Sequence, residues 1–229
     1  EGVVVETRAA LIQGIFGLAG EAQAPLCLLS RTPGGRLEPE VLDASHAGKI
    51  VVHGGRATLA ALKRAIELGV AGVVCGGFAY QDIKELLGYD VGVAVTGTEP
   101  LSTTLVVTEG FGDIAMAEAT LQLLAKHDGA IASINGATQI RAGVIRPEVV
   151  IPLAEDAVAE EVVETGGLEI GVPVRCIRAP YFGHIGTVTA LPIELEKMPS
   201  ETMVRVLEVE LEDGTKAVVP RANVEVIER

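Results

Sequence analysis

Twice in succession, an apolar strand-like run ends in a pair of glycines and passes directly into a helix-like stretch. GKIVVHGG (48–55) leads to ATLAALKRAIELG, and GVAGVVCGG (69–77) leads to AYQDIKELLG. Neither run alternates polar with apolar residues, and strands of that kind are buried on both faces, as in parallel sheets covered by helices. Leu59, Leu62, Ile66 and Leu68 recur at near-helical spacing between Thr58, a cap, and Gly69, a stop. Ile83, Leu86 and Leu87 do the same before Gly88. The order strand, helix, strand, helix, strand predicts an α/β domain with an open, mostly parallel sheet.

The stretch 93–117, VAVTGTEPLSTTLVVTEGFGDIAMA, continues that order. A strand runs into a polar turn (Thr96 to Pro100), a second strand covers Thr104 to Thr108, and an acidic turn (Glu109 to Asp113) opens a helix from about Ile114 to Lys126. AIASI (130–134) is a further strand, followed by a polar loop from Asn135 to Gly143. EVVIPL (148–153) reads as an edge strand, where Pro152 is tolerated. Before the α/β domain, which spans 32–153, residues 1–31 read as a small β segment. After it, 154–170 carries acids and no base, an acidic linker, and 171–229 forms a separate tail.

Composition sets outer limits. A hydrophobic share of 48% supports a core, and aromatics at 3% leave it to Val, Ile, Leu and Ala. A net charge of −13 argues against a broad nucleic-acid or anionic-membrane surface, which needs a basic footprint. Cys27, Cys75 and Cys176 are widely spaced in apolar surroundings, without zinc or CxxC spacing, and read as reduced core residues of a cytoplasmic protein. No apolar run approaches the ~18 residues of a membrane span. The opening EGVVVETR begins with a strand already under way, which suggests a piece of a longer chain.

Three segments resemble known families. The tail, with the alternating strand Val174 to Arg178, Tyr181 and Phe182 before Gly183, Gly186, Val188, the turn Asp213–Gly214 and a closing strand Asn223 to Val226, resembles the KOW motif and its SH3-like barrel over 172–228. That family includes ribosomal proteins and transcription elongation factors, so the resemblance implies a β-barrel and raises RNA contact through Arg175, Arg178, Tyr181 and Phe182. Residues 1–29 resemble the trailing part of a lipoyl-type sandwich, without its carrier lysine. TLVVTEGFGD (104–113) resembles the glutamate segment of Toprim nucleases and primases, with Glu109, Gly110 and Asp113 in place. The later Asp-x-Asp of that family is replaced by ASINGAT, which leaves no metal site.

In a parallel sheet the loops after successive strands converge on one rim, where ligands bind. The candidates there are Thr96, Thr98, Glu99, Thr108, Glu109, Asn135, Thr138, Gln139 and Arg141. Hydroxyls and amides would orient a ligand, and backbone N–H groups at helix starts would hold an anion. HGGRAT lacks the lysine of a phosphate loop, and GxGxxG follows no strand. His53 and Cys75 occupy equivalent places in the two repeated units, and a thiol–imidazole pair is a minor alternative to packing. The expectation is a binding or regulatory module for a small molecule or protein partner, with no cofactor and no metal. An enzyme with acid–base carboxylates in these loops and an RNA-associated factor are the alternatives. A homo-oligomer is compatible with all three.

Overall fold

The computed structural model describes residues 7–89, 96–139, 145–153, 168–178, 180–197 and 203–227. It is a mixed α/β protein with a large sheet and a separate curled antiparallel sheet at the C-terminus.

The large sheet is built from β1 (Ala9–Gln13), β2 (Phe16–Leu18), β3 (Glu21–Leu28), β4 (Arg36–Leu37), β5 (Ile50–Ala57), β6 (Gly72–Phe78), β7 (Thr104–Phe111), β8 (Ile131–Asn135) and β9 (Glu148–Pro152). Its helices are α1 (Leu59–Leu68), α2 (Tyr80–Leu87) and α3 (Glu118–Lys126). The strand order is β1-β9-β8-β3-β5-β6-β7-β2, with β4 beside β5. β3, β5, β6 and β7 are parallel, as is the short β4 beside β5, and the remaining pairs are antiparallel. The predicted strand–helix order and the parallel centre are therefore present. Thr58 caps α1 by accepting the N–H of Ala61, and Gly69 ends it in the left-handed conformation.

Four expectations are corrected. The sheet is not open at both sides, because its terminal strands β1 and β2 are separated by only Gly14 and Ile15. Gly14 donates to Pro147 of the β9 side and Ile15 donates to Val107 of β7, so one short segment ties the two ends together. Residues 9–28, expected as a separate β segment, belong to this sheet, with β3 in its middle. β9 is not an edge strand but lies between β1 and β8; Pro152 is its last residue, beyond the part paired with β8, where no ladder donor is needed. The expected helix start at Ile114 also moves to Glu118. Residues 112–116 instead cross the strand ends.

Alternation along the parallel strands sorts two cores. Val51, Val73, Cys75, Leu105 and Val107 face α1 and α2. Ile50, Val52, Val74 and Val106 face the interior enclosed by β8, β9 and β1, which Met116, Leu121 and Leu124 plug from one end. The second sheet has β10 (Pro173–Cys176), β11 (Ile185–Ala190), β12 (Leu195–Lys197), β13 (Met203–Leu211), β14 (Lys216–Pro220) and β15 (Val224–Val226). Its order is β12-β13-β11-β10-β15, with β14 on β13, around a core of Val174, Cys176, Val188, Leu207 and Val209. No helix among the described residues is long and apolar enough to cross a membrane.

Candidate functional site

The strand-end loops do not share one rim. β8 runs antiparallel to β3 with Asn135 opposite Glu21, which carries its trailing loop to the amino ends of the parallel strands. Thr96, Thr98 and Glu99 precede β7 and lie at the same amino end, whereas Thr108 and Glu109 lie towards the carboxyl end. Arg141 and the expected strand at 93–95 lie outside the described residues.

At the amino rim the polar side chains bind backbone. Thr138 donates its N–H to Thr96 Oγ1 (2.9 Å), and Thr96 donates its own N–H to Thr138 O (2.9 Å). Both clamp Gly17: Thr96 Oγ1 donates to its carbonyl and Thr138 Oγ1 accepts its N–H, each at 2.9 Å. Glu99 Oε2 accepts the N–H groups of Ala19 (2.9 Å) and Gly97 (2.8 Å). Ala19 has a φ of 63°, a left-handed conformation that the carboxylate helps to hold. Asn135 Oδ1 accepts the N–H of Ala137, Thr98 is exposed, and Gln139 borders a small void of about 50 Å³ with Arg146, Arg178 and Phe182.

At the carboxyl rim of β5 and β6 the chain itself fills the crevice. A Cβ at Gly55 would lie 2.1 Å from the carbonyl oxygen of Gly35, and one at Gly76 would lie 2.4 Å from the nitrogen of Met116. Glycine is needed there because segments 32–35 and 112–116 cross the strand ends at backbone contact. His53 is buried, its Nδ1 accepts the N–H of Gly55 at 3.1 Å, and burial lowers its pKa. Cys75, its register partner, donates to the carbonyl of Gly77, and burial pushes its thiol up to about 12. A thiol with that pKa supplies no thiolate near neutrality.

The carboxyl end of β7 differs. Cys75 pairs with Val107 and Gly77 with Gly110, so Thr108 and Glu109 together oppose the single residue Gly76. This bulge redirects a side chain, as bulges beside binding sites do. Glu109, 5% exposed, accepts the N–H of Ala117 at the start of α3 through Oε1 (3.1 Å) and meets Arg175 of β10 through Oε2 (3.3 Å). Arg175 also donates to the carbonyl oxygens of Thr108 and Glu109 and reaches Glu225 of β15 at 3.1 Å. Glu225 accepts from both terminal guanidinium nitrogens of Arg146, whose Nε donates to the carbonyl of Gly14 (3.0 Å). Burial raises the Glu225 carboxyl, but the hydrogen bond from Arg146 and the charges of Arg175 and Arg146 outweigh it and hold it below its ordinary value.

This chain of four charges runs along a cleft of about 420 Å³ between the two sheets, lined by Ile12, Gln13, Thr108, Glu109, Ala117, Thr120, Arg175, Glu225, Val226 and Ile227. Beside it, Phe111 packs between Phe16, Tyr80 and Phe182, and Gly183 sits so close that a Cβ would lie 2.4 Å from the Phe111 ring. Two of the four tail residues expected on an RNA surface, Arg175 and Phe182, thus lie in the joint between the sheets. Arg178 is exposed, and Tyr181 packs on the tail core. No group of three or more His, Cys, Asp or Glu side chains that could hold a metal occurs among the described residues.

Sequence reasoning placed Thr108 and Glu109 but missed Gln13, Thr120, Arg146 and Glu225. The only local sign was a charge on the outward side of an alternating strand, as in Val174-Arg175-Cys176 and Val224-Glu225-Val226. No protein-family model matches the chain, and no curated protein and no solved structure matches it either.

Proposed function

We propose that the protein is a binding module whose ligand occupies the cleft between the bulged end of β7 and the C-terminal sheet. The observation that carries this reading is a cleft of about 420 Å³ with walls from both sheets, crossed by the Glu109–Arg175–Glu225–Arg146 network. The volume is that of ordinary small-ligand sites, and such sites favour the junction of two units. The KOW-like tail then has the role of completing the site, in keeping with the inward placement of Arg175 and Phe182.

A thermal-shift screen against nucleotides, acyl and phosphorylated metabolites and short peptides tests this. A ligand at 100 times its dissociation constant stabilises by about 2.7 kcal/mol, and for a chain of this size that raises the midpoint by about 5–11 °C. The shift is expected to vanish in Thr120→Phe, which fills the cleft from α3. A flat screen, or a shift that Thr120→Phe leaves intact, removes the cleft as the site. Turnover of a hit that Glu109→Gln abolishes would convert the binding module into an enzyme.

A further inference from the structure

Both walls of the cleft end in the outermost strands of their sheets, β1 on one side and β15 on the other. In β1, Leu153 donates to the carbonyl of Arg8 and Gly14 donates to that of Pro147. Those bonds fix the even-numbered residues of β1 in the positions that bond β9. The alternation of an antiparallel ladder then turns the N–H and C=O groups of Ala9, Leu11 and Gln13 away from β9. In β15, Ile177 donates to Asn223 and Ile227 donates to Pro173, so Val226 turns its backbone groups away from β10 in the same manner. Among the described residues no strand pairs with either of these edges.

Gly14 and Ile15 step from β9 to β7, and the carboxyl half of β7 has no β1 partner beyond that crossing. On the β7 side of this seam Arg175 already binds the carbonyl oxygens of Thr108 and Glu109. On the β1 side Arg146 covers the carbonyl of Gly14, and no side chain among the described residues bonds the outward groups of Ala9, Leu11 or Gln13. The charges nearby are matched, two acids with two arginines, so the cleft asks for no net charge from its occupant. The chain's −13 charge disfavours an acidic one.

We infer that the ligand is an extended peptide segment of a partner protein, uncharged at the residues that enter the cleft, which adds as a strand to the free edge of β1. It bonds Leu11 and Gln13, about 7 Å apart along the strand, and Val226 and Ile227 bound its other side. Recognition by strand addition draws affinity from main-chain bonds and specificity from the alternate side chains. This inference rests on the cleft being the binding site.

The test is amide deuterium exchange on the full chain, alone and with pools of acetylated, amidated hexapeptides with uncharged central residues. A bound peptide is expected to slow exchange at Leu11 and Gln13 at least tenfold, with little change at Ala10 and Ile12, which already bond β9. N-methylation of the peptide at alternate residues should abolish the protection. Gln13→Pro, which removes an outward N–H that bonds nothing among the described residues, should weaken binding at least tenfold while the unfolding midpoint stays near that of the parent. Protection elsewhere, or binding indifferent to both changes, overturns the inference. A small molecule lost in Thr120→Phe, leaving Leu11 and Gln13 unprotected and uncontested by any pool, keeps the cleft and overturns the peptide. No response to either class overturns both.

Discussion

Glu99 and Glu109 show how one side-chain type takes different roles according to what surrounds it. Glu99 closes a turn by accepting two backbone N–H groups, while Glu109 joins a helix start to an arginine of the other sheet. His53 is a third case, a titratable group whose single recorded bond is a backbone N–H and whose burial lowers its pKa. An unfolded histidine binds a proton near pH 6.5. His53 therefore contributes full stability above that value, and the contribution is lost as pH falls through it towards the lower folded pKa. The urea midpoint is expected to drop between pH 7.5 and 5.5. In His53→Gln, which keeps an acceptor for Gly55, the drop should flatten.

At the scale of elements, β5, β6 and β7 lose register together, at Gly54–Gly55, Gly76 and Thr108–Glu109. In β5 and β6 the bulged positions are glycines under crossing backbone, whereas in β7 they carry side chains, and the cleft lies there. Gly55→Ala would press a methyl group into the Gly35 carbonyl, 2.1 Å from its ideal position. Overpacking of this kind costs about 1–3 kcal/mol. Denaturant unfolding should show that loss, with faster exchange at the Gly34 and Arg56 amides that bind across the crossing. The strands and helices behind this arrangement were readable because period and glycine punctuation are local. β9's neighbours and the seam at Gly14 were not, because strand order depends on partners distant in sequence.

For the whole molecule, the junction of the two sheets combines the Phe111 aromatic cluster with the four-charge network. Arg175→Met would leave Glu109 buried without its cation, and removal of one member of a buried pair costs about 3–5 kcal/mol. The loss should appear as a lower denaturant midpoint and as protease cutting between residues 153 and 172, with a larger radius of gyration by X-ray scattering if the sheets separate. Unchanged stability and dimensions would show that the aromatic contacts hold the joint by themselves.

By itself the sequence determined the strand–helix alternation of the centre, the ends of α1 and α2 and a β-rich tail. Those follow from hydrophobic period, capping and turn chemistry, which act over a few residues. Only the tertiary structure decided that Thr96, Glu99 and Thr138 bind backbone at the opposite rim, that residues 9–18 tie the ends of the sheet together, and that Arg175 faces inward. The reason is geometric. A side chain's partner depends on strand direction and on which edge its backbone offers, and both are fixed by pairings between residues far apart in sequence, as between Ala9 and Pro152 or Gln13 and Glu148 in the neighbouring β1 and β9.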